Sequence, residues 1–290
     1  MSVTVGVVGA TSPAGRQVIA QLRGQGHRVV AYSRNPPVGE DEPGLRWASL
    51  AAHGENAGAG EQIPVWIALC HIWAVPEHLG KMIALGAERV VCLSSTSRYT
   101  KTTSSNSYEE VLVGRLIQGE ERVAREAGAA GIGWTILRPT LIYGRNTDRN
   151  LSEIVRLIRK LHVFPLFGRA AGLRQPVYVD DVAQAAVRAA FAPAARDQAY
   201  NISGAEVLSY REMVTRIFIA MGLRPKLLTV PIWLFNFGLA CLQVVPRYRG
   251  WNADMVQRMN RDMVFGHEAA QRDFGFDPQP FQLRDIDVGR

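Results

Sequence analysis

The N-terminal stretch constrains the fold of this chain more than any other part of the sequence. A β-branched apolar run at Val3–Val8 leads into a glycine-flanked turn at Gly9–Gly15, and helical spacing of apolar residues follows as far as Leu22. A second apolar strand is predicted at His27–Ser33. Strand, turn, helix and strand thus close within about 30 residues, which is the βαβ arrangement of dinucleotide-binding folds.

The turn itself has the chemistry of a phosphate site. A backbone approaches a diphosphate only where side chains are absent, and the free N–H groups of a helix N-terminus then bind the anion. Ser12 stands where a middle glycine is common, and its hydroxyl is small enough to donate to a phosphate oxygen. The residues predicted to bind the cofactor here are Gly9, Thr11, Ser12, Pro13, Ala14 and Gly15.

The end of the second strand predicts which nicotinamide cofactor binds. No Asp or Glu stands there to accept a hydrogen bond from a ribose hydroxyl; the residues are Ser33 and Arg34. A guanidinium at this position matches a 2′-phosphate, so the sequence favours NADP over NAD.

The rest of the chain continues the alternation of strands and helices. Strands are predicted at 45–50, 65–69, 89–93 and 134–138, with helices at 77–85 and 109–125 between them. This pattern predicts an α/β fold of the Rossmann type, a doubly wound parallel sheet covered on both faces.

The pattern changes after Gly144, which predicts a smaller C-terminal substrate-binding lobe. We expect a nucleotide-binding domain over 1–144 that 176–204 completes, and a lobe formed by 145–175 and 205–290. Within it, Asp180 and Asp181 are predicted to cap a helix N-terminus, because carboxylates satisfy its free N–H groups.

Composition excludes several classes of protein. Hydrophobic residues make up 47% of the 290 positions, so the chain is long and apolar enough for a substantial core. The formal charge of +7 comes from scattered arginines without a basic tract, so we expect no nucleic-acid partner. Cys70, Cys92 and Cys241 form neither a disulfide framework nor a zinc motif, and the six histidines show no ligand spacing, so no metal is predicted.

Two features bear on location. The N-terminus has no positive region before its apolar run, so we expect a buried strand there, not a signal peptide, and a cytoplasmic protein. The apolar stretch at 227–245 approaches bilayer length but is interrupted by Pro231 and Gly238. A buried helix after a proline-capped turn is the preferred interpretation; attachment to the inner-membrane surface through 227–251 is the alternative.

Five motifs together resemble the short-chain dehydrogenase/reductase superfamily, in its extended or atypical branch that includes NAD-dependent epimerases and dehydratases of nucleotide sugars. In the order of that family they are VVGATSPAG at 7–15, VVCLSSTS at 90–97, TILRPTLIYG at 135–144, PVYVDDVAQA at 176–185 and AYNISG at 199–204. The likeness covers most of the chain.

The resemblance implies further site residues. Ser94 lies at the strand end beside the nicotinamide, and the hydroxyl of either Ser95 or Thr96 faces the substrate. Three residues that pass under the nicotinamide are Pro139, Thr140 and Leu141. Two residues that follow the strand on the adenosine ribose side are Leu69 and Cys70.

The Tyr-x-x-x-Lys pair of the family is not intact. In that pair an ammonium one helical turn away lowers the pKa of a phenol from about 10, which suits it to proton transfer near neutrality. Tyr108 has no lysine or arginine four residues later. When the chain is aligned backwards from the TILRPTLIYG strand, Arg115 falls near the lysine position and Val111 takes the place of the tyrosine. Tyr108 and Arg115 are the catalytic candidates, and Tyr99 with Lys101 is a further pair.

Three functions stay open at this point. The leading one is an NADP-dependent enzyme acting on a carbonyl or secondary alcohol, such as that of a nucleotide sugar, with a small-molecule substrate and a homodimer left open. Four arginines predicted to line its cleft and bind a diphosphate are Arg145, Arg149, Arg169 and Arg174. The alternatives are a catalytically degenerate NADP(H)-binding sensor or scaffold, and a membrane-associated reductase with an apolar cleft.

Overall fold

The structure, a computed structural model, describes residues 2–50, 62–100, 107–145, 149–232 and 259–289. The strands are β1 Thr4–Val8, β2 Arg28–Ser33, β3 Leu45–Ser49, β4 Val65–Ala68, β5 Arg89–Leu93, β6 Gly133–Pro139, β7 Ile142–Tyr143, β8 Phe164–Phe167, β9 Leu173–Arg174, β10 Val177–Tyr178, β11 Gln198–Ile202, β12 Leu208–Ser209 and β13 Leu227–Val230. The α-helices are α1 Pro13–Gly24, α2 Pro76–Ala84, α3 Ser97–Thr100, α4 Ser107–Ala129, α5 Arg149–Leu161, α6 Val179–Phe191, α7 Tyr210–Ala220 and α8 Glu268–Phe274.

Seven strands form one parallel sheet in the order β11-β6-β5-β4-β1-β2-β3. All five residues of β1 are buried, because a central strand of a parallel sheet is covered by helices on both faces. Helices α1 and α6 pack together on one face, and α2 and α4 lie on the other. The predicted Rossmann-type doubly wound sheet is confirmed.

A second apolar core lies outside the main sheet. It is built from α5, α7 and the short strands between them, with Ile158 and Phe218 fully buried in it. Strand β11 returns to the main sheet beside β6, with Ala199 opposite Ile136. The carboxyl end of β6 leads into β7, whose Tyr143 is buried in this second core.

The first turn of α6 corrects one prediction. The helix begins at Val179, and neither Asp180 nor Asp181 caps it through its side chain. Asp180 instead accepts two hydrogen bonds from Arg145, at 3.0 and 2.9 Å. Asp181 is buried and accepts hydrogen bonds from the backbone and side-chain nitrogens of Gln279. Capping was the wrong prediction because distant groups compete for these carboxylates.

The apolar stretch after residue 226 differs in part from the prediction. Leu227–Val230 is a strand that pairs with β8, and Leu228 in it is exposed. The helix predicted beyond Pro231 falls almost entirely on 233–258, outside the described residues. Within the described ranges, no helix combines the length and apolarity needed to cross a membrane.

Candidate cofactor-binding and catalytic site

The turn between β1 and α1 has the geometry of an anion cradle. Gly9 adopts φ 79°, a conformation that favours glycine. Ser12 is the N-cap of α1, and its Oγ accepts a hydrogen bond of 3.0 Å from the Gly15 amide. A Cβ on Gly15 would lie 2.4 Å from the Gly9 carbonyl oxygen, so only glycine lets α1 approach the turn this closely.

Hydrogen-bond donors remain available in this cradle. The amides of Thr11 and Ala14 have no acceptor among the residues that the structure describes. Ser12 uses its oxygen as an acceptor and keeps its proton for another partner. Pro13 has no N–H to donate and instead sets the first helical φ. These exposed or half-buried groups fit a diphosphate, whose oxygens accept hydrogen bonds.

The end of β2 separates the two residues predicted there. Ser33 is buried, and its hydroxyl is engaged with the backbone of Asn35 at 3.2 and 3.3 Å. Arg34 is exposed, and no acceptor for its guanidinium lies among the described residues. Arg34 is therefore the residue of the two that is free to bind a ligand phosphate.

The exit of β4 lies against the glycine turn. A Cβ on Gly9 would lie 3.0 Å from the Leu69 carbonyl carbon and 3.1 Å from the Cys70 amide, so backbone meets backbone here. Burial raises the pKa of the Cys70 thiol to about 11, and the thiol is neutral at physiological pH. Cys70 contributes packing at this place, without a reactive thiolate.

The ends of β5 and β6 distinguish the two hydroxyl candidates. Thr96 is buried, and its amide and its Oγ1 both donate to the Pro139 carbonyl oxygen, at 3.1 and 3.2 Å. Ser95 is half-buried, and its Oγ accepts from the Ser97 amide at 3.1 Å while its proton stays available. Ser95 is thus the better placed of the two to donate to a substrate oxygen.

The segment predicted to pass under the nicotinamide is held firmly. The Thr140 amide donates to the Ile202 carbonyl at 2.9 Å, and its hydroxyl donates to the Gln175 carbonyl. The Leu141 carbonyl accepts from the Val177 amide at 2.9 Å. These bonds fix Pro139–Leu141 between the main sheet and the second core.

A buried carboxylate beside this segment was missed by sequence reasoning. Glu120 on α4 is 3% exposed and accepts hydrogen bonds from Arg98, Arg138 and the Ser94 hydroxyl. Arg138 also donates to the Tyr99 hydroxyl at 2.7 Å. Neither side chain was predicted as a site residue, and Arg138 lies within the TILRPTLIYG motif at 135–144.

The predicted catalytic pair is only partly described. Arg115 is exposed and lies over the Trp73 ring, with 6.0 Å from the guanidinium carbon to the ring centroid. Val111 is 54% exposed. Tyr108 lies in the first turn of α4, but its side chain is outside the described residues, as is Lys101. The part of α4 that the structure describes contains no tyrosine followed four residues later by a lysine, which is the spacing found in the family.

The four arginines predicted to line the cleft have different environments. Arg145 is paired with Asp180, and Arg174 is buried, where it donates to the Leu173 and Arg261 carbonyls at 2.7 Å each. Both guanidiniums are therefore bound by other groups of the protein. Arg169 is exposed, and the side chain of Arg149 is outside the described residues. Among the described residues, no cluster of three or more potential ligands is arranged to hold a metal ion.

Comparison with known proteins agrees with the motifs. The model of the NAD dependent epimerase/dehydratase family matches residues 77–203. The chain is 26% identical over 119 residues to UDP-glucose 4-epimerase of Vibrio cholerae, covering 41% of this chain and 36% of that protein. It is 30% identical over 151 residues to 2-alkyl-3-oxoalkanoate reductase of Shewanella oneidensis, covering 48% of this chain and 39% of that protein.

A solved structure shares the fold over nearly the whole chain. UDP-glucuronic acid 4-epimerase from Bacillus cereus in complex with NAD superposes with a TM-score of 0.71 at 14% identity, covering 95% of this chain and 93% of that one. The alignments with the curated relatives above span little more than a third of those proteins. The resemblance to the extended short-chain dehydrogenase/reductase superfamily, in its NAD-dependent epimerase/dehydratase branch, is confirmed.

Proposed function

We propose that this protein is an NADP(H)-dependent oxidoreductase or epimerase-like enzyme that acts on a carbonyl or secondary alcohol of a small molecule such as a nucleotide sugar. The observation that carries the proposal is the glycine turn, where Gly15 lets α1 approach β1 and leaves the Thr11 and Ala14 amides without an acceptor in the described chain. When bound, a nicotinamide cofactor supplies or takes up a hydride.

The preference for NADP depends on Arg34. Its exposed guanidinium lies at the end of β2, where a ribose 2′-phosphate is expected in this fold. A guanidinium binds a phosphate through two parallel charge-assisted hydrogen bonds. A ribose hydroxyl without a phosphate has no negative charge for the guanidinium to bind in this way.

The chain's own residues supply the polar contacts of the reaction. Ser95 donates a hydrogen bond from its hydroxyl to the substrate oxygen and so polarises the carbonyl without losing its proton. The rigid segment Pro139–Leu141 supports the nicotinamide from below, held by the hydrogen bonds of Thr140. The curated epimerase and reductase relatives suggest two substrate classes, a nucleotide sugar and a 3-oxoalkanoate.

A titration with NADPH and NADH, followed by fluorescence or calorimetry, tests the cofactor. We expect NADPH to bind more tightly; equal affinities would remove the NADP assignment, and failure to bind either would remove the proposal. Turnover with UDP-glucose, UDP-glucuronic acid and a 2-alkyl-3-oxoalkanoate, followed by nicotinamide absorbance and by product analysis, tests the reaction.

The second candidate is an NADP(H)-binding sensor or scaffold without turnover. This alternative is favoured by the predicted lysine position on α4, where Arg115 lies against Trp73 and the nearby Leu112 packs against the core. Tight NADPH binding combined with no turnover of any substrate above would support this alternative.

A further inference from the structure

The cluster around Glu120 contains two arginines that share one buried carboxylate, and Glu121 is a further negative charge near Arg98. Two guanidiniums, those of Arg98 and Arg138, converge on the one carboxylate of Glu120. Arg138 holds Glu120 through its Nε, at 3.2 and 3.1 Å, and through a terminal nitrogen at 2.6 Å. A fork held at two nitrogens has a fixed orientation, so its remaining nitrogen is aimed in one direction.

That remaining nitrogen is aimed at a phenol. Arg138 donates to the Tyr99 oxygen at 2.7 Å, and the guanidinium carbons of Arg98 and Arg138 lie 5.4 and 5.6 Å from the Tyr99 ring centroid. Because the phenol oxygen accepts this bond, its own proton is directed elsewhere, and no acceptor for it lies in the described part of the chain. Tyr99 is 41% exposed, so this proton is accessible to a ligand.

Tyr99 lies at the carboxyl ends of β5 and β6, with the other site residues. Its amide donates to the Thr96 carbonyl at 3.0 Å, one turn after the hydroxyl candidates. Thr96 in turn is bonded to Pro139, the residue that follows Arg138 on β6. The phenol, its cation and the segment predicted to support the nicotinamide therefore belong to one hydrogen-bonded unit.

We propose that Tyr99 is the proton donor of this protein and that Arg138 takes the part of the absent lysine by stabilising the phenolate. This inference rests on the proposed function. In the reduction, the carbonyl carbon accepts a hydride from the reduced nicotinamide while the C=O π pair moves to oxygen, and that oxygen takes the proton of Tyr99. The phenolate stays beside Arg138 until solvent returns a proton, and oxidation runs the same steps in reverse.

The test compares Tyr99→Phe with wild type in two measurements, NADPH binding and turnover of the three substrates above. We expect kcat to fall by about 100-fold or more, as loss of a general acid does, while the Kd for NADPH stays within about twofold. Tyr210→Phe is the matched control, because Tyr210 also lies under a guanidinium, that of Arg174 at 5.6 Å, but on α7. It should leave kcat unchanged.

A second variant tests the positioning role of Arg138. Arg138→Lys keeps the charge but not the fork, so we expect kcat to fall while KM and the Kd for NADPH stay nearly constant. Since Tyr99→Phe keeps the ring that packs on Phe265, its melting temperature should match wild type. If it does not, the kcat and KM of Arg138→Lys decide the question.

Three outcomes are separable. Turnover that falls in Tyr99→Phe but not in Tyr210→Phe supports the inference. If wild type turns over a substrate and Tyr99→Phe retains turnover within about threefold of wild type, the inference is overturned and the proposed function stays intact. NADPH binding without turnover by wild type overturns both the proposed reaction and the role of Tyr99, whereas the cofactor site survives.

Discussion

The glycine turn and helix α4 both carry residues of the predicted site, but they differ in what the structure places there. The turn has the backbone geometry of the diphosphate site that we propose, since Gly15 has no room for a Cβ and the N-cap Ser12 orders the first turn of α1. Helix α4 buries Val113, Leu116 and Glu120, but its sequence has no lysine four residues after Tyr108.

The difference shows which requirements are carried by backbone and which by side chains. An anion site made of amides depends on close approach of the backbone, and a Cβ at Gly15 would lie against the Gly9 carbonyl oxygen. Proton transfer depends on one side chain beside one cation, and a neighbouring element can present that pair as well as α4 can. The phenol of Tyr99 beside Arg138 is such a pair.

The largest effect on stability is expected at Glu120, the carboxylate that Arg98 and Arg138 share. Glu120→Ala leaves Arg98 and Arg138 without their shared partner, so the free energy of unfolding should fall by about 3–5 kcal/mol. Urea denaturation measures it. Glu126→Ala on the same helix removes a half-buried surface partner of Arg122 and should cost less than about 1 kcal/mol. Equal losses would mean that Glu120 does not anchor this region.

The next effect concerns the turn. Gly15→Ala places a Cβ against the Gly9 carbonyl, so the backbone must shift, with a loss of about 1–3 kcal/mol in stability and a rise of at least about 30-fold in the NADPH Kd. Gly24→Ala, at the exposed end of the same helix, meets nothing within 4 Å and should leave binding unchanged. Normal NADPH affinity in Gly15→Ala would show that the turn is not the phosphate site.

A smaller effect should separate the two cofactors. Arg34→Ala is expected to raise the Kd for NADPH by about tenfold, because one exposed charge-assisted contact is lost, and to leave that for NADH within about twofold. Arg28→Ala, at the exposed opposite end of β2, is the control. Equal losses of affinity for NADPH and NADH would mean that Arg34 attracts both cofactors through its charge and does not recognise the 2′-phosphate.

The smallest effect concerns the first turn of α6. Burial raises the pKa of Asp181 above its ordinary 3.8, so the folded protein holds this proton more tightly than the unfolded chain does. This group's contribution to the free energy of unfolding therefore declines as pH rises from about 3.8 through the folded-state pKa.

Asp181→Asn should remove that slope and keep an oxygen that accepts from the Gln279 amide at 3.0 Å. Thermal or urea unfolding of both proteins across this pH range checks it. An unchanged slope in the variant would assign the pH dependence to another group.

Much of the fold was predictable, because its signals are local. The buried run of β1, the glycine turn and the spacing of α1 are neighbours in sequence, and the strands at 65–69, 89–93 and 134–138 were predicted to within about two residues. The residues that we predict to bind the cofactor at the turn follow from the same local pattern. The predicted capping by Asp180 and Asp181 failed because their partners, Arg145 and Gln279, are distant in sequence.

The sequence by itself determined the alternation of strands and helices, the glycine turn and the absence of a Tyr-x-x-x-Lys pair, since periodicity, glycine positions and motif spacing are properties of consecutive residues. Only the tertiary structure decided which groups meet around Glu120. Tyr99 and Arg138 are 39 residues apart, and they touch because α3 follows β5, the strand that pairs with β6. Strand order brings such groups together, and the continuous apolar runs of buried parallel strands do not specify which strands are neighbours.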